Sequence, residues 1–543
     1  MFQLAFLTAL YSYSIFALGI LHFLRKNIIL VSLIIFLLVL IKAFLKQFIN
    51  FLLILKTYLV NAKPLSIFLF CLITIQIFIN LVGVLGPELA FDALWYHLTI
   101  PKIYLQQNSI FYIGGHLYYS AMPKLTEMLY LVALALGNEI TAKIIHFSFG
   151  IVTLVALYKM SRNFLSTKDS LLVGLIFYSN LVVGWMSITA YIDLARTFFE
   201  VLALWSFLIF VRSNVFKWLA LSGVMLGFAI SCKLLSLWSI VIYLILLLYI
   251  SLFKKVKLVS IVKQSIFFCV VVFIVVSPWL IFSYLNTENP IYPLLSPVHQ
   301  NLGNSIPFNP KDIVAATWSI FLLSPDPISP IYFISLPLII FYFCNILFKT
   351  INKQARLLIN LLLIYLVFGF IILYFTPLAS SGRFFMPYLP AFSLLFTLLL
   401  NSLKSKLLYK FLLVIIIIVS FTSIAYRGIA NKRFVPVILG KENMNTFMLN
   451  NLEYNVGNFY DVDNFFTKTI KSDNKVLIYG ISNLYYVNFP YIHESWIKKG
   501  DKFDYILTKD IGLPERFRDW KLVYKNEKTK VKLYSLDGKN VEY

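Results

Sequence analysis

Long apolar runs, each about the length of a membrane-spanning helix, follow one another along the chain up to about residue 430. The run PLSIFLFCLITIQIFINLVGVLG, from Pro64 to Gly86, would cross about 30 Å of hydrocarbon as a helix. The ten-residue alternation of apolar and polar side chains that is typical of an outer-membrane barrel does not occur. The pattern therefore predicts an all-α polytopic membrane protein. We predict about 13 transmembrane helices, at residues 3–23, 28–50, 64–86, 140–160, 168–189, 191–211, 215–231, 234–252, 264–285, 331–348, 357–376, 383–400 and 406–426.

The distribution of charge orients this predicted transmembrane domain, residues 1–430. Only 13% of the 543 residues are charged, which excludes a water-soluble enzyme. The chain has 47 Lys and Arg against 24 Asp and Glu, and the basic residues cluster in alternate loops. Loops that are rich in Lys and Arg lie on the cytoplasmic side of a membrane. The acidic loops lie on the opposite side; we call residues 87–139 and 286–318 the first and second outer loops. The basic excess thus indicates topology and predicts no nucleic-acid partner.

Two regions outside the predicted spans have a structure of their own. The first outer loop contains amphipathic stretches, which predict helices lying along the membrane surface. Residues 431–543 predict a small soluble α/β domain on the non-cytoplasmic side, with strands in KVLIYG (475–480) and DYILTK (504–509) and a hairpin over 521–536. The topology of the first two spans stays open, because Arg25 and Lys26 fall on the outer side.

Acidic residues are rare in the transmembrane domain, so each is a candidate functional group. In FDALWYHLTIPKIYL, Asp92 and Tyr96 share one helix face and His97 lies beside them. A carboxylate there could act as general base toward an acceptor hydroxyl or amine. The alternative is that Asp92 only caps a helix.

A second acid follows in TAYIDLARTFFE, where Asp193, Arg196 and Glu200 share one helix face. Arg196 and Glu200 form either part of a site or a buried ion-pair stripe that fixes helix packing. Asp193 is closer to the interface and is a candidate for contact with substrate or with a divalent metal ion.

Basic residues are rare on the outer side. Lys124, Lys233 and Arg383 each lie at the outer end of an apolar segment and could bind a phosphate group. The alternative for each is a side chain that extends to the lipid headgroups. Glu127, one turn from Lys124, joins them as a candidate binding residue.

The order of these segments resembles the membrane glycosyltransferases of superfamily C (GT-C), and within it the branch of the protein O-mannosyltransferases and aminoarabinose transferases. The resemblance is carried by FDALWYHLTIPKIYL, MPKLTEMLYLVALALGNE, AYIDLARTFF, ISCKLLSL, NPIYP and GRFFMPYLP, over about residues 64–430. Lys124 departs from the family pattern, because Leu-Thr follows it where the family has Pro-Pro.

The resemblance implies a function and a role for each residue. It implies transfer of a sugar from a polyprenyl-phosphate carrier to a glycan, lipid or protein acceptor on the outer face of the bacterial inner membrane, with inversion of the anomeric centre. Asp92 would be the base and Asp193 a second acid near a metal or the acceptor. Lys124 and Arg383 would bind the carrier phosphate.

Two other functions remain open from the sequence, besides that of a catalytically dead relative whose C-terminal tail binds partners. The first is a ligase or polymerase of lipid-linked glycans, against which the scarcity of Arg in the outer loops counts. The second is a flippase or transporter of lipid carriers, which predicts charged residues deep in the spans. Arg196 and Glu200 are the only deep candidates for such residues.

Overall fold

The architecture is taken from a computed structural model, which describes residues 1–61, 63–300, 309–323, 327–344, 347–348, 351–376, 381–535 and 541–543. Residues 301–308 of the second outer loop lie outside these ranges.

The described residues form a helical membrane domain, as predicted, and nine of its helices are long and apolar enough to cross a bilayer. These nine are Phe2–Ile20, Lys26–Lys46, Pro64–Val84, Glu139–Ser161, Asp193–Ser213, Leu234–Lys254, Leu258–Thr287, Lys353–Phe375 and Lys406–Ile438. Four shorter apolar helices are Leu125–Leu136, Phe216–Cys232, Pro330–Cys344 and Met386–Asn401. The predicted number of about 13 spans is thus not confirmed, because several predicted spans are short or interrupted.

The predicted span at 168–189 is the clearest interruption. Helix Thr167–Tyr178 ends there, and a six-residue helix, Leu181–Met186, follows. The Asn180 side chain caps this short helix by accepting a hydrogen bond from Val182 N, at 3.2 Å. Residues 187–192 then form a turn, called the 187–192 turn below, before helix Asp193–Ser213 begins. The hydropathy pattern misses this break because the turn is also buried and apolar.

The first outer loop contains two helices of different character. Thr99–Gln107 has one buried and one half-buried face, and only its last two residues, Gln106 and Gln107, are exposed. Leu125–Leu136 is buried along most of its length and packs into the protein. Between Asp92 and the first of these helices, Ala93–His97 forms one turn of π-helix.

The C-terminal region folds as a small α/β domain, as predicted. Its five-stranded sheet has the order β2-β1-β4-β6-β5, in which β1 is parallel to β2 and β4 and the remaining pairs are antiparallel. The strands are β1 Val476–Tyr479, β2 Tyr491–His493, β3 Lys502–Phe503, β4 Tyr505–Lys509, β5 Lys521–Asn526, β6 Val531–Ser535 and β7 Val541–Glu542. The short strands β3 and β7 pair separately.

This C-terminal domain packs against the first outer loop. Lys102 Nζ donates hydrogen bonds to the carbonyl oxygens of Tyr485 and Val487, at 2.7 and 2.8 Å. The Tyr486 hydroxyl donates to Glu88 O, at 3.0 Å, and Trp496 Nε1 donates to a loop carbonyl. The domain therefore lies on the same side of the molecule as the loop that carries Asp92.

Two histidines face each other across this contact. The rings of His116, in the loop, and His493, in β2, stack at 4.8 Å. His493 accepts a hydrogen bond from Ser495 N through Nδ1, so its ring is neutral. Burial lowers the pKa of both groups, and for His493 the pKa falls to about 4 with a contribution from His116.

Lowering the pH from 7 to 4.5 should therefore weaken the contact between domain and loop. The pKa of His493 is 6.5 in the unfolded chain and about 4 in the folded protein. The unfolded chain therefore binds a proton first, so the free energy of unfolding decreases as the pH falls from 6.5 toward 4. The decrease in the free energy of unfolding that His493 contributes is up to about 3 kcal/mol. Thermal unfolding across this window should show a steeper pH dependence in the wild type than in His493→Asn, which keeps only the contribution of the other buried histidines such as His116. Parallel curves would contradict the prediction.

Candidate active site

Asp92 and Arg383 form an ion pair at the outer end of the membrane domain. Arg383 Nη1 lies 2.7 Å from Asp92 Oδ2, and the two side chains are 19% and 14% exposed. Burial opposes the charge on Arg383, but the carboxylate of Asp92 raises the pKa of the guanidinium well above its usual value. Solvent can reach both members of this pair.

Asp193 and Lys233 form a second ion pair. Lys233 Nζ lies 2.7 Å from Asp193 Oδ1, and the side chains are 18% and 1% exposed. Asp193 begins its helix, where the helix dipole favours a carboxylate. Lys233 follows the last turn of helix Phe216–Cys232 in extended conformation. Asp193 is thus held behind its lysine, and Lys233 is the more exposed side chain of the pair.

Two aromatic rings join these pairs into one site. The Phe384 ring lies 5.0 Å from Lys233 Nζ and 5.0 Å from the Arg383 guanidinium carbon. Arg383 also lies 5.0 Å from the ring of Tyr191, whose hydroxyl accepts a hydrogen bond from Asp92 N at 3.2 Å. The structure therefore brings Asp92, Arg383, Lys233 and Asp193 together at one place.

Lys124, Glu127 and His97 form a buried group beside this site. Glu127 Oε1 lies 2.9 Å from His97 Nδ1 and 3.8 Å from Lys124 Nζ, and all three side chains are at most 3% exposed. Burial lowers the pKa of His97, although Glu127 opposes this. Tyr96 packs on the His97 ring at 4.2 Å. As the structure stands, Lys124 is paired internally and its ammonium is not accessible to a phosphate group.

The backbone around Asp92 and Asp193 is held by two residues that the sequence reasoning did not select. Glu88 accepts hydrogen bonds from Ala90 N and Ala190 N, at 2.8 and 2.6 Å, and so ties the start of the first outer loop to the 187–192 turn. His146 contacts Thr189 O through Nδ1, at 2.8 Å, and accepts from Leu194 N through Nε2, at 3.0 Å. In the sequence, Glu88 and His146 could have been noticed only as polar residues within an apolar region.

Arg196 and Glu200 contact the segment that carries Lys233. Arg196 Nε donates to Ser236 Oγ at 2.7 Å, and Glu200 Oε1 accepts from Ser239 Oγ at 2.8 Å. Both charged side chains are fully buried. They hold the segment from Leu234 to Ser239 against helix Asp193–Ser213. Among the described residues no ion pair joins Arg196 to Glu200, so the contacts fix helix packing through serine hydroxyls and not through the predicted ion-pair stripe.

The residues around Asp193 do not fit a divalent metal ion. Its Oδ1 atom faces the Lys233 ammonium, which repels a cation. Within the described part of the chain, no group of three His, Cys, Asp or Glu side chains could hold a metal. We therefore assign Asp193 no metal and derive no step through one.

The accessible groups have complementary chemistry. The Asp92 carboxylate can accept a proton, and Arg383 and Lys233 can donate hydrogen bonds to an anionic oxygen. A cation pair beside a carboxylate suits a reaction in which an oxyanion leaves as a hydroxyl group loses its proton.

Comparison with known proteins bears on the fold and on one segment of the sequence. Residues 127–282 match the family model described as dolichyl-phosphate-mannose-protein mannosyltransferase. The crystal structure of ArnT from Cupriavidus metallidurans in the apo state has a TM-score of 0.58 to this chain at 12% identity, and the match covers 87% of this chain and 98% of ArnT. The chain has the same fold as ArnT over most of its length.

The structure of the same ArnT bound to undecaprenyl phosphate gives a TM-score of 0.55 at 12% identity, over 86% of this chain and 98% of ArnT. No curated protein matches the chain. The predicted resemblance to the O-mannosyltransferase and ArnT branch is confirmed, by the family model over residues 127–282 and by the ArnT fold over most of the chain. The matched residues 127–282 include Glu127, Asp193 and Lys233, whereas Asp92 and Arg383 lie on either side of them.

Proposed function

We propose that this GT-C protein transfers a sugar from a polyprenyl-phosphate carrier to an acceptor hydroxyl or amine on the non-cytoplasmic face of the bacterial inner membrane. The observation that carries the proposal is the pairing of a partly exposed carboxylate, Asp92, with the accessible cation Arg383 at 2.7 Å. Lys233 supplies a second accessible cation nearby. The ArnT structure with undecaprenyl phosphate supports a carrier of this class.

In the proposed step, the acceptor oxygen or nitrogen attacks the anomeric carbon and forms the new bond. The bond between that carbon and the phosphate oxygen breaks, and the carrier phosphate leaves with the electron pair. Asp92 takes the proton of the acceptor. Arg383 and Lys233 stabilise the negative charge that develops on the phosphate. Direct displacement inverts the anomeric centre.

The ion pair with Asp92 gives Arg383 a further role. With Arg383 bound to it, the Asp92 Oδ2 atom is occupied by the guanidinium at 2.7 Å. A carrier phosphate that takes over the guanidinium releases the carboxylate for the acceptor. The base therefore becomes effective when the donor is bound, which limits premature reaction.

The test is a transfer assay with the purified protein in lipid vesicles, using a polyprenyl-phospho-sugar and a crude acceptor fraction from the cell envelope. We expect release of free polyprenyl phosphate together with sugar-labelled acceptor. Movement of the intact carrier between leaflets without release of its phosphate would overturn the proposal and favour the transporter.

A further inference from the structure

A cleft of about 950 Å³ lies between helix Thr99–Gln107 of the first outer loop and the C-terminal domain. We call it the interdomain cleft. Its volume lies within the range of about 300–1,000 Å³ that is usual for ligand sites. The proposed reaction leaves this cleft without a role.

The walls of the cleft combine cations with aromatic rings. Its lysines are Lys102, Lys471 and Lys475, and its rings include Tyr491 and Trp496. None of the described residues that line it is Asp or Glu. The cleft is therefore cationic, and it offers flat apolar surfaces beside the charges.

The lysines differ in their availability. Lys102 Nζ donates to three oxygens of the C-terminal domain, so it holds the cleft together. Lys471 and Lys475 are exposed, and neither forms an ion pair within the part of the chain that the structure describes. By contrast, a second pocket of the same domain pairs its lysines with carboxylates, as in Lys530 and Asp510 at 3.5 Å. The interdomain cleft thus has cations available for an anionic ligand.

The aromatic rings are held in place before any ligand binds. Trp496 Nε1 donates to Gly114 O at 3.2 Å, and the Trp496 ring lies 6.2 Å from that of Tyr491. Gln106, Gln107 and Asn488 add amide groups to the lining. Aromatic faces suit the C–H faces of sugar rings, amides suit hydroxyl groups, and lysines suit phosphate or carboxylate groups.

The cleft is also connected to Asp92 through the backbone. The π-helix Ala93–His97 leads directly into helix Thr99–Gln107, which forms one wall. At 1.5 Å per α-helical residue, the nine-residue helix Thr99–Gln107 alone is about 13 Å long. An extended acceptor of several sugar units could therefore lie in the cleft with one end near the carboxylate.

We propose that the interdomain cleft binds the acceptor, and that this acceptor is an anionic glycan, a saccharide that carries carboxylate or phosphate groups. The inference rests on the proposed function, because it assigns the acceptor of that reaction. It adds the chemical class of the acceptor and gives the C-terminal domain a role in binding it.

The test is a binding measurement on the full-length protein in nanodiscs without donor. The probes are hexagalacturonate, neutral maltohexaose and a hexa-aspartate peptide. We expect hexagalacturonate to bind and the Lys471→Gln, Lys475→Gln double variant to weaken it about tenfold, since two charge-assisted contacts are lost. The matched control, Lys498→Gln with Lys499→Gln, removes the same charge from the same domain outside the cleft and should change Kd less than about twofold.

Three results would overturn the inference: no binding of hexagalacturonate, equal weakening by both double variants, or equal affinity for maltohexaose. Binding of hexa-aspartate as tight as that of the glycan would also overturn it, in favour of an acidic peptide acceptor. Binding without donor does not depend on transfer. A protein that binds the glycan but never releases polyprenyl phosphate would therefore refute the proposed function and leave the cleft as a glycan site.

Discussion

Asp92→Asn should lower the rate of sugar transfer by about 10²–10⁴-fold, the usual contribution of a positioned general base. Asparagine keeps the size of the side chain but cannot accept the proton. It also removes the negative partner of Arg383, which lies 2.7 Å away in the wild type. The guanidinium is then free for the carrier phosphate, so KM for the donor should stay the same or fall. The measurement is kcat and KM for polyprenyl-phospho-sugar in vesicles.

The matched control for this variant is Glu288→Gln, which neutralises an exposed acid of the second outer loop. It should leave both constants unchanged. A kcat of Asp92→Asn within about twofold of wild type would exclude Asp92 as the base. A rise in KM with kcat preserved would make Asp92 a residue that only positions Arg383.

Lys233→Met should lower the free energy of unfolding by about 3–5 kcal/mol, the usual cost of leaving one member of a buried ion pair alone. The Asp193 side chain is 1% exposed, and Lys233 Nζ at 2.7 Å is its cationic partner. Transfer should fall as well, because the variant also lacks the second cation for the phosphate. The measurement is thermal unfolding of the purified protein in detergent, compared with the exposed-site control Lys217→Met.

The double variant Lys233→Met with Asp193→Asn separates the two roles of Lys233. It removes the unpaired charge, so most of the lost stability should return, whereas transfer should remain low. Recovery of transfer together with stability would show that Lys233 acts only by neutralising Asp193. An unchanged melting temperature in Lys233→Met would show that Asp193 is not a buried charge that needs this partner.

The sequence predicted those site residues whose signal is local, and it missed those whose role depends on a contact with a distant segment of the chain. Asp92, Tyr96 and His97 stood out because a charged or polar group is costly beside an apolar segment, and this is a local property. The ion pair of Asp92 with Arg383 joins residues 291 positions apart, so no local pattern could indicate it. Glu88 and Tyr191 were missed for the same reason, since their roles are contacts with distant segments.

Lys124, in contrast, was selected from the sequence, but the structure makes it inaccessible. Its position before an apolar segment suggested a phosphate ligand, but it is enclosed by Glu127 and His97 and is nearly inaccessible. Which of several rare cations reaches solvent is decided by the packing of the helices around it. The interdomain cleft likewise exists only because the C-terminal domain lies on the first outer loop.

The amino-acid sequence by itself determined the class of this protein: a helical membrane domain, a polar loop with a candidate base and a small C-terminal α/β domain. It could do so because hydropathy, charge bias and strand-turn patterns act over tens of neighbouring residues. Only the tertiary structure decided which charges pair, which stay accessible and where the predicted span at 168–189 breaks. Those properties depend on packing and hydrogen bonds between segments that lie far apart along the chain.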